Sequence, residues 1–333
     1  MAVNFLYMNS INISHDGARR VLVAGLAGLF GQLLGATSLK LKQAMRKPIR
    51  VLFPIPFAGG LNRDITSRLF NEAGVEHYFE NKFGASGVIA TKFILEESNS
   101  DTIMIVSNTV AISNFIQHKD KIGMRFEDAF KCIGAMYSTA FVLVTRSNGP
   151  LDVSFSEFIQ KLNTRNSQLS YSTTGNFDIP HLCGSMLGQA LKVDLLAVPY
   201  KNSHLLPVLS GEVDFTFAST AAVAPLLASQ QVRAIAHTSA KSLEVWPFLP
   251  SLTKLKGFQA IDSTFGLVAS KFMKNDFVSE INSLLNHVLD DKNFALELRK
   301  SGADLYPSHR PEDYEKYLRS ERKKYENIIA SVV

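Results

Sequence analysis

Cysteine is scarce in this chain, and the two that occur, Cys132 and Cys183, stand far apart. Neither belongs to a Cys-x-x-Cys pair or has a neighbouring histidine pattern, which argues against a redox motif and a structural zinc site. Each lies in an apolar setting, where a free cysteine behaves as a small buried hydrophobe. A strong charge excess is lacking as well. The net charge is +5 over 333 residues, and no stretch interleaves Lys or Arg with aromatics on a common face, so nucleic acid is not an expected partner. The eight histidines, His15, His77, His118, His181, His204, His237, His287 and His309, include no pair at metal-ligand spacing on a helix. A Gly-x-Ser-x-Gly elbow, a phosphate loop and a complete dinucleotide fingerprint are all absent. No catalytic residue, metal or cofactor is therefore assigned. His181 begins a helix and is read as a structural partner of the preceding turn, because a general base needs a positioned partner.

Long apolar runs are absent apart from one, Val21 to Leu39, preceded by Arg19-Arg20 and followed by Lys40-Leu-Lys42. Its glycines, Gly25, Gly28, Gly31 and Gly35, weaken it as a membrane helix, and Ala36-Thr37-Ser38 offers small residues for processing. Residues 1–38 are thus expected to be a signal peptide that directs the chain to the periplasm. The export route, general secretory or twin-arginine, stays open, and an uncleaved anchor is the alternative. With 46% hydrophobic and 20% charged residues, the remainder is long enough for about two domains with full cores.

What is present is a repeated pattern of strand, glycine turn and helix. Ile49 to Phe53 is an apolar run suited to a strand covered on both faces, and Pro54 and Pro56 remove ladder donors after it. Gly59-Gly60 permits positive φ, and Asn62 or Asp64 is placed to cap a helix carrying Ile65, Leu69 and Phe70. Tyr78 to Asn81, Thr102 to Ser107, Ala140 to Thr145, Leu169 to Ser172, Asp194 to Pro199, Val213 to Phe217, Arg233 to Thr238 and Ile261 to Ala269 read as further strands. Phe126 to Tyr137 reads as a connecting segment. Helices alternate with most of them, and the last two are expected at Val278 to Asp290 and Pro311 to Val332. The alternation predicts an α/β fold with mostly parallel sheets, and Asn148-Gly149-Pro150 suggests a domain change near Arg146. Free N–H groups at strand carboxyl ends are then the natural place for an anionic ligand.

Five motifs in order resemble those of the tripartite tricarboxylate transporter receptors, the Bug or TctC family of extracytoplasmic solute-binding proteins. They are Lys47-Pro-Ile-Arg50 leading into Pro54 to Gly60, Glu80 to Gly87, Tyr171 to Asn176 with His181, Val198-Pro-Tyr-Lys201, and Gly211 to Phe217. The resemblance covers nearly the whole mature region. It implies a two-lobed, periplasmic-binding-protein-like (Venus flytrap) fold, with residues 46–146 plus 262–333 as one lobe and 147–261 as the other. It also implies a monomeric receptor that closes on a small organic anion and hands it to membrane transporter subunits or a sensor kinase.

Carried over by position, the implied ligand contacts are Phe57, Gly59, Gly60 and Asn62 in the first loop, Ser86 in the second, and Ser107 and Asn108 in the third. Ser172, Thr174 and Asn176 come from the other lobe. The chain departs from the family at Phe177-Asp178 and Ala218-Ser219, both near the cleft. Asp178 divides between helix cap and ligand contact, and Ala218, where many members carry a carboxylate, is a further implied ligand contact. Phe57 and Phe265 divide between cleft wall and core packing. Tyr200-Lys201 is a second-rank site, since a lysine after a strand is usually solvated. A ligand sensor or accessory protein without a transport role, and an enzyme on the same fold, are the alternative functions.

Overall fold

The computed structural model describes residues 47–54, 60–82, 84, 87–96, 101–108, 123, 129–164, 168–200, 203–306 and 310–332. The expected signal peptide, together with Phe57, Gly59, Ser86 and Lys201, lies outside the described residues.

The elements follow the order β1 (Ile49–Phe53), α1 (Leu61–Glu72), β2 (His77–Asn81), α2 (Val88–Glu96), β3 (Thr102–Ser107), β4 (Phe130–Arg146), α3 (Phe155–Thr164), β5 (Leu169–Thr173), α4 (Ile179–Leu191) and β6 (Leu195–Pro199). They continue with α5 (Leu206–Ser210), β7 (Phe215–Ser219), α6 (Thr220–Ala228), β8 (Val232–His237), β9 (Asp262–Ser270), α7 (Asn275–Asp290), α8 (Lys292–Lys300), β10 (Asp304–Leu305) and α9 (Pro311–Val332). In the first sheet β1 pairs in parallel with β2 and β3, while β9 lies antiparallel between β3 and β4. In the second sheet β5 pairs in parallel with β6 and β7, and β4 runs antiparallel to β7 and β8. Each sheet thus has a parallel core closed by antiparallel crossing strands.

One strand belongs to both sheets. The 17-residue β4 pairs with β9 as far as Ala140 opposite Asp262, then with β7 and β8 from Phe141 opposite Ser219 and Val142 opposite His237. The sequence divides this stretch into a connecting segment and a short strand. The structure corrects that: register shifts between Cys132 and Gly134, between Ala135 and Tyr137, and between Leu143 and Val144 break its alternation without breaking the strand. The helix α8 is a second addition. Asp291 caps it by accepting from the Asn293 and Phe294 amides, and Phe294 and Leu298, four residues apart, form its buried face.

The second crossing runs from β8 to β9, and Thr238 joins it to the first. Its N–H donates to the Phe141 carbonyl (2.9 Å) and its hydroxyl oxygen accepts from the Phe141 amide (3.0 Å). That hydroxyl donates to the Ile261 carbonyl (2.6 Å), and the Ile261 amide donates back to the Thr238 carbonyl (3.2 Å). Asn108, at the end of β3, extends the junction. Its amide donates to the Asp262 carbonyl (3.0 Å) and to Glu321 (3.2 Å) and accepts from the Thr264 amide (3.1 Å). Ser239 donates to Asp262 Oδ2 (3.2 Å), and Asp262 Oδ1 is buried without a partner.

Helix α9 closes the back of the molecule. Tyr314, Leu318, Tyr325 and Ile328 form one buried stripe and share a core with Leu182, Cys183 and Met186 of α4. The Gln189 amide of α4 also donates to the Ser331 carbonyl of α9. Helix α4 is itself pressed against β5. A Cβ added at Gly184 would stand 2.2 Å from the Tyr171 ring, so glycine is required there for close approach rather than for backbone freedom.

Two measurements check this packing. Gly184→Ala is expected to lose about 3 kcal/mol in urea unfolding, because the Tyr171 ring has to move; a loss under about 1 kcal/mol would refute the contact. Burial raises the Asp262 pKa from 3.8 to about 6, against the opposing pull of Lys324 and Ser239. The folded state therefore holds this proton more tightly than the unfolded chain, and its contribution to stability falls as pH rises from about 4 to 6. Asp262→Asn should lack that slope. Relative to wild type it should gain with pH across this window and level off above it, by at most about 3 kcal/mol in paired unfolding curves. A constant difference between the two proteins would refute the assignment.

Candidate functional site

Parallel strands present their carboxyl ends on one side of a sheet, and here both sheets turn that side toward the crossings. In the first sheet, Ser107 at the end of β3 lies opposite Phe265, only three residues into β9. In the second, Ser219 at the end of β7 lies opposite Phe141, the first β4 residue in that sheet. The carboxyl ends of β3 and β7 therefore approach the crossing strands from opposite sheets, the kind of position at which open α/β sheets hold ligands.

On the first side, Gly60 occupies the cap position of α1 at φ 111°, a conformation that favours glycine, and no side chain caps this helix. Its carbonyl accepts from the Arg63 and Asp64 amides. Asn62 is held from behind: its side-chain oxygen accepts from the Tyr137 hydroxyl (2.9 Å). The Tyr137 ring stacks on Phe265 with centroids 5.0 Å apart. Tyr137 is buried, which pushes its hydroxyl pKa up and keeps it a neutral donor. Asn62, Tyr137, Phe265 and Ser107 thus form one wall, with Phe265 half-buried. Tyr137 escapes the sequence reading because only the register of β4 against β9 brings it to Phe265. Asn108, expected in this wall, is fully buried and its amide is engaged by Asp262, Thr264 and Glu321, so it staples the junction.

On the second side, β5 ends in the turn 174–178. Thr174 and Asn176 are exposed, Phe177 adopts φ 61°, and Asp178 caps α4. Both Asp178 oxygens are occupied. Oδ1 accepts from the His181 amide (2.7 Å), and Oδ2 accepts from the Thr174 amide (2.5 Å) and hydroxyl. His181 Nδ1 accepts from the Phe177 amide (3.2 Å), which puts the ring proton on Nε2, and burial lowers its pKa. The expected structural role of His181 is what this geometry provides.

Ser172 is buried and donates to the His204 carbonyl, fixing the loop after β6 beside the turn. His204 has its pKa lowered by burial, opposed by Asp178, and its Nε2 is buried without a partner. Ala218 is fully buried opposite Val142, in a core with Val144, Val223 and Val232. Tyr200 closes β6 by donating its amide to the Thr173 carbonyl (2.8 Å). Among the described residues no group of three or more His, Cys, Asp or Glu is placed to hold a metal ion.

Comparison with known proteins agrees with this architecture. The family described as "Tripartite tricarboxylate transporter family receptor" matches residues 62–333. A UPF0065 protein from the tcbD-tcbE intergenic region of Pseudomonas sp. strain P51 is 23% identical over 330 residues, covering 96% of this chain and 95% of its own. Among solved structures, an R. palustris protein with adipate superposes with TM-score 0.77 at 22% identity, over 86% of this chain and 97% of its own. MatC from Rhodopseudomonas palustris with bound malate gives TM-score 0.72 at 22% identity, over 85% and 98%. The periplasmic binding protein BugD gives 0.74 at 22% identity, over 86% and 98%. The fold is therefore the two-lobed fold of periplasmic binding proteins, and no helix among the described residues is long and apolar enough to cross a membrane. Since the family match takes in most of the chain, from the first helix onward, this protein belongs to the tripartite tricarboxylate transporter family of receptors.

Proposed function

We propose that this protein is an exported receptor that captures a small organic anion between its lobes and delivers it to a tripartite tricarboxylate-type transporter. The lobes in this reading are residues 46–146 plus 262–333 and residues 147–261, joined through β4 and the Thr238 crossing. The carrying observation is that the carboxyl ends of β3 and β7 approach the same crossing from opposite sheets. An uncapped helix start follows β1 on one side, and the 174–178 turn follows β5 on the other. Backbone donors aimed into a gap that dries on closure are costly to leave unpaired, which couples anion binding to lobe movement.

The malate and adipate named with two structural relatives support a carboxylate as the ligand class. Family membership supports the transporter as the recipient and the periplasm as the place, with residues 1–38 as the export signal. Binding rather than turnover is the proposed activity. Gly60, Asn62, Ser107, Thr174, Asn176 and Phe265 are the described residues we assign to the ligand's surroundings, with Phe57, Gly59 and Ser86 completing the loops.

The test is thermal unfolding of the mature chain against a panel of carboxylates. A binding carboxylate at a hundred times its Kd should add about 2.7 kcal/mol and raise Tm in a concentration-dependent manner. No change in Tm with any panel member at millimolar concentration would overturn the proposal.

A further inference from the structure

The junction between the two sheets holds a pair of carboxyl groups that the candidate site does not use. Asp262 stands at the last position where β4 pairs with β9, opposite Ala140. Its Oδ2 accepts from the Ser239 hydroxyl (3.2 Å), and its Oδ1 is buried without a partner. One register position away, the Thr139 hydroxyl is also buried without a partner. Glu321 of α9 acts on the same place. It accepts from the Asn108 side chain (3.2 Å), which also donates to the Asp262 carbonyl (3.0 Å). Among the described residues the cation that acts on Asp262 is Lys324, and its ammonium is bonded to both Glu321 oxygens (3.1 and 3.2 Å). The other titratable groups described around Asp262 add no positive charge. They are Asp304 of β10, Cys183 of α4 and Tyr317 of α9, which shares the Asn108 amide. His237 stands behind Ser239, with Nδ1 accepting from the Ser239 amide (3.2 Å), and burial holds it toward its neutral form. Burial likewise pushes the Asp262 pKa up to about 6, with Glu321 and Asp304 adding to the rise and Lys324 and Ser239 opposing it.

From this we infer that Asp262 is a proton-operated latch on the junction: with its proton the crossings stay closed, and ionisation favours their local opening to water. The reason is the missing partner. A neutral carboxyl can remain beside Glu321 with one hydrogen bond, whereas a carboxylate there is incompletely paired, faces a like charge and gains by reaching solvent. The bonds that open with it are those that fasten the crossings, from the Thr238 amide to Phe141, the Ile261 amide to Thr238 and the Thr264 amide to Asn108. Asn108 directly follows Ser107, Thr264 directly precedes Phe265, and Ser107 lies opposite Phe265. The proton on Asp262 therefore acts one residue behind the wall of the candidate site. The inference rests on the junction alone and does not depend on which ligand the receptor takes.

The experiment is amide hydrogen exchange of the mature chain, followed by NMR between pH 5 and pH 7.5, with each rate corrected for the intrinsic effect of pH. It is repeated on Asp262→Asn and on Glu321→Gln, which keeps an oxygen for Asn108 to bond. An opened Asp262 releases its proton near the ordinary 3.8 and a closed one at about 6. Protection of the Thr238, Ile261 and Thr264 amides in the wild type should therefore fall about tenfold between pH 5 and pH 7 and level off above that. The Tyr200 amide, bonded to Thr173 at the edge of the second sheet, should show no such fall. Asp262→Asn should abolish the fall, and Glu321→Gln should shrink it by removing the like charge and freeing Lys324. A flat wild-type profile would overturn the inference, as would an equal fall at Tyr200, which reports the whole fold rather than the junction. So would a fall that persists in Asp262→Asn or, if that variant does not fold, an undiminished fall in Glu321→Gln.

Discussion

A hydrogen-bonded knot around Thr238 joins the two chain crossings, and the placement of everything functional depends on it. A β-strand that leaves one sheet for another strands its backbone groups at the switch, and buried groups of that kind must find partners. The Thr238 side chain supplies them, accepting from Phe141 and donating to Ile261 while its own backbone bonds both segments. Asn108 does the same for the start of β9, tying it to the end of β3 and to α9. Such networks are strong when complete, and the polar groups are costly when one is left over. The oxygen left over here is Asp262 Oδ1, and burial of that carboxyl raises its pKa.

Helix α9 packs behind that knot and contacts elements of both sheets. Its buried tyrosines pack beneath the first sheet, while Ile328 and the Ser331 carbonyl reach α4 of the second. The helix thus spans the junction between the two sheets. The chain changes sheets at element-terminal residues, Ala140 and Phe141 on one crossing and Thr238 and Ile261 flanking the other. Neighbours in sequence have different roles here: Ser107 ends β3 opposite Phe265, while Asn108 ties β3 to β9 and α9.

The starts of α1 and α4 are chemically unequal, and the inequality comes from capping. On one side α1 starts at a glycine with φ 111°, so its amino-terminal dipole is uncompensated by a capping side chain. On the other, α4 is capped by a full carboxylate that also closes the preceding turn. The free donors that a family pattern implies must therefore be counted after the chain's own side chains have been satisfied. Asp178 is an efficient cap for that reason.

Much of the framework could be read from the amino-acid order. The apolar runs at 49–53 and 102–107, the glycine corner at 60, the Gly211 stop and the stripe of 311–332 each encode a local period or a permitted dihedral, which short-range physics makes visible. The five motifs carried the family with them. Residues 130–146 could not be read as one strand, because its bulges disturb the two-residue period and its partners change halfway along. The site was legible only as a set of loops. That Tyr137 braces Asn62, that Asn108 faces inward, and that Asp178 consumes the donors of its own turn depend on register and on distances between groups remote in the chain. Composition and spacing fix which elements can form, since those forces act within a few residues. Which side chains meet, and which donors remain for a ligand, is settled only when the sheets are paired and the buried polar groups have chosen their partners.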